Sequence, residues 1–200
     1  MKVTGNRATI NILQQPTSYA WVEQAITNLD IILLDHAHCE LKAASSAIHL
    51  MFRYPSKTKM VQELTKIAKE ELEHFEQVNN WLEKRNISMA PLNAPPYGAA
   101  LKAQIRHQEP LRFLDSLLVS GLIEARSHER LGLLSTYCLE VDLAAFYGSL
   151  MSSEARHYGV YWGLADTYFA RDVFISRLQE LALLESELLT NLYPQPRVHS

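Results

Sequence analysis

The chain has 200 residues, of which 48% are apolar, and a formal net charge of −3. That is enough for one compact domain with a single good core and leaves nothing over for a second. A charge this small creates no overall electropositive field, so any nucleic-acid site must be local.

Taken in chain order, the punctuation predicts helices almost throughout. Met1 to Arg7 carries no apolar run of signal-peptide length, and no stretch approaches membrane-spanning length, so a cytoplasmic protein without membrane contact is expected. Thr17 or Ser18, after Pro16, can cap a first helix, and Asn28 to Asp30 interrupts it. Residues 30–54 follow with Leu33, Ala37, Glu40, Ala44, Ala47 and Met51 on one face, small residues flanking the carboxylate. Pro55 stops that helix and Ser56 can cap the next, 56–86, whose stripe runs Met60, Leu64, Ile67, Glu71, His74, Val78, Trp81.

Residues 87–110 contain Pro91, Pro95, Pro96, Gly98 and Pro110, a composition that reads as a long crossover. A third helix, 111–137, aligns Leu114, Leu117, Gly121, Glu124, His128 and Leu131; a fourth, 140–168, aligns Tyr147, Leu150, Glu154, His157, Tyr161, Leu164 and Tyr168. The turn between them is expected near 137–142 although no Pro or Gly announces it. An amphipathic outer helix spans about 173–192, and the Pro194-Gln195-Pro196 tail is expected to fray.

Each of the four long helices thus carries one glutamate in the middle of its apolar face, and two of them extend it to Glu-x-x-His: Glu71/His74 and Glu154/His157. Glu40 precedes Glu71 by 31 positions and Glu124 precedes Glu154 by 30. A short motif of this kind occurs by chance, so position is what counts. In an antiparallel hairpin turning at Pro55, Glu40 and Glu71 both lie roughly 23 Å from the turn and come level.

Four inward carboxylates cost several kcal/mol each unless compensated. Two divalent cations with two neutral imidazoles bring the sum of formal charges to zero. This ligand set defines an all-α, ferritin-like four-helix bundle with one long crossover and additional peripheral helices. Oxygen and nitrogen donors suit iron or manganese, and six ligands for two ions leave room for O₂.

The segments Glu109 to Leu118 (EPLRFLDSLL), Leu122 to Arg130 (LIEARSHER) and Ser153 to Tyr158 (SEARHY), with Pro95-Pro96-Tyr97-Gly98 and Glu71-Leu72-Glu73-His74, resemble the tRNA 2-methylthio-isopentenyladenosine hydroxylase family. The resemblance covers most of the chain. It implies an oxygen-dependent, non-haem di-iron monooxygenase that hydroxylates the isopentenyl group of a modified adenosine next to the tRNA anticodon. Its two irons would be held by Glu40, Glu71, His74, Glu124, Glu154 and His157, and its electrons would come from a separate reductase, since the chain has no flavin or iron–sulfur motif. Related di-iron oxygenases often place Asp immediately before each Glu-x-x-His, where this chain has Glu70 and Ser153.

Around that set, His36, Glu70, His128 and Ser153 are candidates to support the ligands, although His36 and His128 also read as satisfied core histidines. Lys102, Arg106, His107 and Arg112 cluster at the end of the crossover and are candidates for RNA contact. Arg126, Arg130 and Arg156 read as counter-charges near the four carboxylates, and Tyr147, Tyr161 and Tyr168 as core. Cys39 and Cys138 form no Cys-x-x-Cys pair, and Cys39 reads as a packing residue. The alternative function on these ligands is an iron-storage or peroxide-consuming di-metal protein.

Overall fold

The computed structural model describes residues 12–200, so the opening segment read above for a targeting signal lies outside them. Among the described residues the chain forms seven α-helices and no strand, and no helix is long and apolar enough to cross a membrane. Helix α1 (Tyr19–Ile26) is capped by Ser18, whose side chain accepts the Trp21 N–H at 3.2 Å. Helix α2 (Leu29–Arg53) forms a hairpin with α3 (Thr58–Lys84), and α5 (Leu111–Tyr137) forms a second with α6 (Val141–Tyr168). An outer helix, α7 (Arg171–Leu188), packs against α5, α4 and α6.

Three local features depart from the sequence reading. Ser56 does not cap α3: the Lys57 N–H bonds to Tyr54 O at 3.0 Å, so Tyr54 to Lys57 is a closed turn with Pro55 at its second position, and the helix starts after it. The crossover contains α4 (Pro96–Ala103), because a proline with its fixed φ and missing N–H suits the first position of a helix as well as it ends one. The tail beyond residue 192 does not fray. Trp21 Nε1 donates to Arg197 O at 2.9 Å, Val198 N to Asp35 Oδ2 at 2.7 Å, and Arg130 to the carbonyls of Val198 and Ser200. Buried polar partners more than 60 residues away hold it, which local composition cannot reveal. The end of α3, by contrast, is locally coded: Asn86 has φ 56°, and Ile87 N bonds back to Leu82 O at 2.9 Å.

The core is divided in two. One cluster joins Leu50, Met60, Leu64, Leu114, Leu117 and Leu164, near the α2–α3 turn. The other joins Leu33, Val78, Leu82, Leu131, Leu134 and Leu150, near the α5–α6 turn. Between them, at mid-height of all four long helices, lies a buried polar layer: Glu40 and His36 on α2, Glu71 and His74 on α3, Glu124 on α5, Glu154 and His157 on α6.

Candidate di-metal centre

The layer resolves into two groups whose donor atoms lie within 4.8 Å of one another: Glu40, Glu71, His74 and Glu154, and Glu71, Glu124, Glu154 and His157. Glu71 and Glu154 belong to both. His74 Nδ1 stands 3.5 Å from Glu40 Oε2, 3.4 Å from Glu71 Oε2 and 3.7 Å from Glu154 Oε1. His157 Nδ1 stands 2.9 Å from Glu71 Oε1 and 4.0 Å from Glu154 Oε1. Donors about 2.1 Å from a first-row cation and about 90° apart are separated by roughly 3 Å, so these spacings suit shared metal ions.

The tautomers of the two histidines follow from their other nitrogens. Ser153 donates its hydroxyl to Leu150 O at 2.7 Å, so it accepts from His74 Nε2 at 3.1 Å. His157 Nε2 donates to Glu70 Oε2 at 2.7 Å. In their neutral form, the form that binds a metal, both rings therefore turn an Nδ1 lone pair toward the carboxylates. His74 Nδ1, His157 Nδ1, Glu71 Oε1 and Glu154 Oε1 are buried without a hydrogen-bond partner, which is costly for polar atoms unless a cation completes them. The donor set thus fits a pair of divalent metals.

Electrostatics agree. Burial, and then the Glu71 charge, raise Glu124 to about 8; burial and the neighbouring carboxylates push Glu154 well above the usual range. Burial opposes a charged His74, but the Glu40 and Glu71 carboxylates that face its Nδ1 outweigh it and raise the ring to about 10, so without a cation the ring holds a second proton. Burial likewise works against Glu40, yet the charge and contact of His36, whose Nε2 sits 2.6 Å from Glu40 Oε1, hold that carboxyl low. Alone, four carboxylates cannot all ionise here; two cations would supply the missing charge.

The remaining candidates separate. His36, Glu70 and Ser153 touch the six residues above, whereas His128 Nδ1 faces Met151 O at 3.0 Å. Arg106 grips Asp115 through Nε at 2.8 Å and Nη2 at 2.7 Å. Arg126 pairs with Glu185 and Glu129, Arg130 with the tail, and only Arg156 approaches the site, through Glu70 at 2.5 Å. Tyr147 and Tyr161 are buried in the core and Tyr168 packs edge-on against Phe113.

A cavity of about 710 Å³ opens beside Glu40, Glu71, Glu124 and Glu154 and runs between α2, α4 and α5. Lys102, His107 and Arg112 line it, as do Lys42, His49 and Arg53, which the sequence reading did not single out. Those three, with Cys39 and Ser46, form a 3/4-spaced stripe on α2 beside the Glu40 stripe, the signal that could have found them. Cys39 packs against the second core cluster, as expected, and its other side lines the cavity; His199 joins the wall from the tail.

The family model described as tRNA-(MS2IO6A)-hydroxylase (MiaE) matches residues 5–200. The chain is 38% identical to the tRNA 2-(methylsulfanyl)-N(6)-isopentenyladenosine(37) hydroxylase of Pseudomonas putida over 176 residues, covering 86% of this chain and 85% of that one. It is 31% identical to the Salmonella typhimurium protein of the same name, covering 96% and 88%. A solved structure titled "Protein 43 with aldehyde deformylating oxygenase activity from Synechococcus" superposes with a TM-score of 0.93 at 47% identity, over 96% of each chain, which places the bundle among ferritin-like folds. With a match along nearly its whole length, the chain belongs to the tRNA-(MS2IO6A)-hydroxylase (MiaE) family.

Proposed function

We propose that this protein is an O₂-dependent di-iron monooxygenase that hydroxylates the isopentenyl group of 2-methylthio-isopentenyladenosine in tRNA, next to the anticodon. The observation that carries the reading is the cavity, which joins the four-carboxylate layer to a basic rim. It is far larger than O₂, peroxide or an iron ion requires, which favours a bulky nucleoside over iron storage or peroxide consumption.

In this reading Glu40, Glu71, His74, Glu124, Glu154 and His157 hold the two irons. When bound, the iron pair supplies the O₂ activation and C–H oxidation that no side chain here can perform. The chain's own residues do the rest. Glu70 and Ser153 fix the tautomers of His157 and His74; Leu50, Val119 and Ile123 give the cavity an apolar wall for the alkyl group. Lys102, His107, Arg112 and the α2 residues Lys42, His49 and Arg53 face the RNA backbone. Such a reaction inserts one oxygen atom and reduces the other to water with two electrons and two protons. The electrons come from a separate reductase, for Cys39 and Cys138 are isolated thiols.

The 47% identity to a protein titled for aldehyde deformylating oxygenase activity favours a second reading, in which the same cavity takes a linear aldehyde. One experiment separates them. Iron-loaded, reduced protein is given O₂ with either isopentenylated tRNA or a long-chain aldehyde. One added oxygen on the digested nucleoside supports the hydroxylase; alkane and formate with an unchanged nucleoside would support the second reading.

A further inference from the structure

The cavity has two unlike ends. Helices α2 and α5 run antiparallel across it, since α2 passes from the Leu33 core cluster to the Leu50 cluster while α5 passes from Leu114 to Leu134. Arg53 and Arg112 therefore mark one end, Glu40 and Glu124 lie further along, and Asp35 and Ser127 mark the other. Arg53 is 13 positions from Glu40, roughly 20 Å of helix; Asp35 is five, roughly 7 Å.

The short end is closed by the tail. His199 reaches across from α2 to α5, with Nε2 hydrogen-bonded to Ser127 Oγ at 3.1 Å and Nδ1 3.7 Å from Cys39 Sγ. Its ring lies parallel to Tyr97 of α4, centroids 5.3 Å apart and planes 5° apart. Tyr97 is fixed in turn by its hydroxyl, which donates to Glu185 of α7 at 3.0 Å. The tail that carries His199 is held from buried residues: Arg130 donates to Val198 O and Trp21 Nε1 to Arg197 O. A wall anchored from α2, α4, α5 and α7 is specified by the fold.

We propose that His199 is a specificity-determining residue: backed by Tyr97, its ring is the end wall of the substrate cavity and limits how far an alkyl group extends past Glu40 and Glu124. The proposal rests on the reading of this cavity as the substrate site. Burial, and then the charges of Arg130 and Arg126, hold the His199 imidazole down at about 3, so the wall is uncharged at neutral pH. An alkyl group can meet a neutral ring without stripping water from a charge.

The test is binding rather than turnover. Iron-loaded protein under nitrogen is titrated calorimetrically with linear primary alcohols of increasing length. Affinity for the unaltered protein rises about fourfold per methylene, then stops rising at a defined length. In His199→Ala the rise continues for at least one further methylene, and His199→Phe, which keeps the bulk without the hydrogen bonds, stops at the original length. Ser127→Leu narrows the same end from α5 and stops earlier, which keeps the test alive if His199→Ala does not fold. An identical limit in the unaltered and Ala proteins, no limit in any of them, or a Phe variant that behaves as Ala would overturn the proposal. A length limit in a protein that adds no oxygen to tRNA keeps the wall and removes the hydroxylase reading; the reverse result removes the wall alone.

Discussion

Glu70 Oε2 lies 2.7 Å from His157 Nε2, and across the layer Ser153 Oγ lies 3.1 Å from His74 Nε2. Each partner is the residue just before the Glu-x-x-His of the opposite hairpin, so each motif orients the other's imidazole. A carboxylate does this more strongly than a hydroxyl, because the bond to it is charge-assisted. Glu70→Ala should therefore lower metal affinity about 10–100-fold, with Ser153→Ala at the weaker end of that range. Competition titration against a chelator measures both.

Gly121, one turn before Glu124, has no room for a side chain. A Cβ there would lie 2.6 Å from Trp162 Nε1 and 3.2 Å from Tyr161 Cβ. A stiff indole and the α6 backbone cannot both yield. Gly121→Ala should destabilise by about 1–3 kcal/mol despite the better helix propensity of alanine, read as a lower denaturant midpoint.

Arg126 and Glu185 tie α5 to α7 by two bonds, 2.8 and 2.7 Å, with both side chains buried. Arg126→Met leaves an uncompensated carboxylate and should cost about 3–5 kcal/mol. Adding Glu185→Leu should recover part of that loss. Denaturant unfolding of the two single variants and the double variant gives the coupling.

Asp115 predicts a pH effect. Its burial favours the neutral acid, but Arg106 and Arg177 outweigh it and hold the pKa below the usual 3.8. A depressed folded-state pKa contributes stability that is fully present above the unfolded value and is lost as pH falls through the folded one. Asp115→Asn should therefore be less stable than the unaltered protein at pH 7, and the gap should close as pH falls below about 3.8, followed by thermal unfolding across that range.

The same pairing divides the basic residues. Lys102 lines the cavity, so Lys102→Ala should weaken tRNA binding at low salt and reduce the salt slope by about 1. Arg106 is engaged by Asp115, so Arg106→Ala should lower stability with little change in that slope.

What was legible in the sequence follows one physical rule. Periodic, local signals showed: the stripes through Glu40, Glu71, Glu124 and Glu154, the Ser18 cap, and the Cys138 to Glu140 turn, inferred from matching ligand heights alone. Contacts between distant segments did not. Nothing local tells Arg106, bonded to Asp115, from Lys102, which lines the cavity. His199 meets Cys39 from 160 positions away, and a tail of Pro, Gln and Pro looks unanchored until Asp35, Trp21 and Arg130 are seen around it. The crossing of Glu70 to His157 becomes visible only when the two hairpins are docked.

Six side chains from four helices are arranged to hold one pair of metal ions. Diffraction from iron-loaded crystals, measured on both sides of the iron absorption edge, tests this arrangement most directly. Two anomalous peaks are expected, one beside His74 and Glu40, the other beside His157 and Glu124, with Glu71 and Glu154 next to both. A single peak, or iron bound away from the layer, would contradict it.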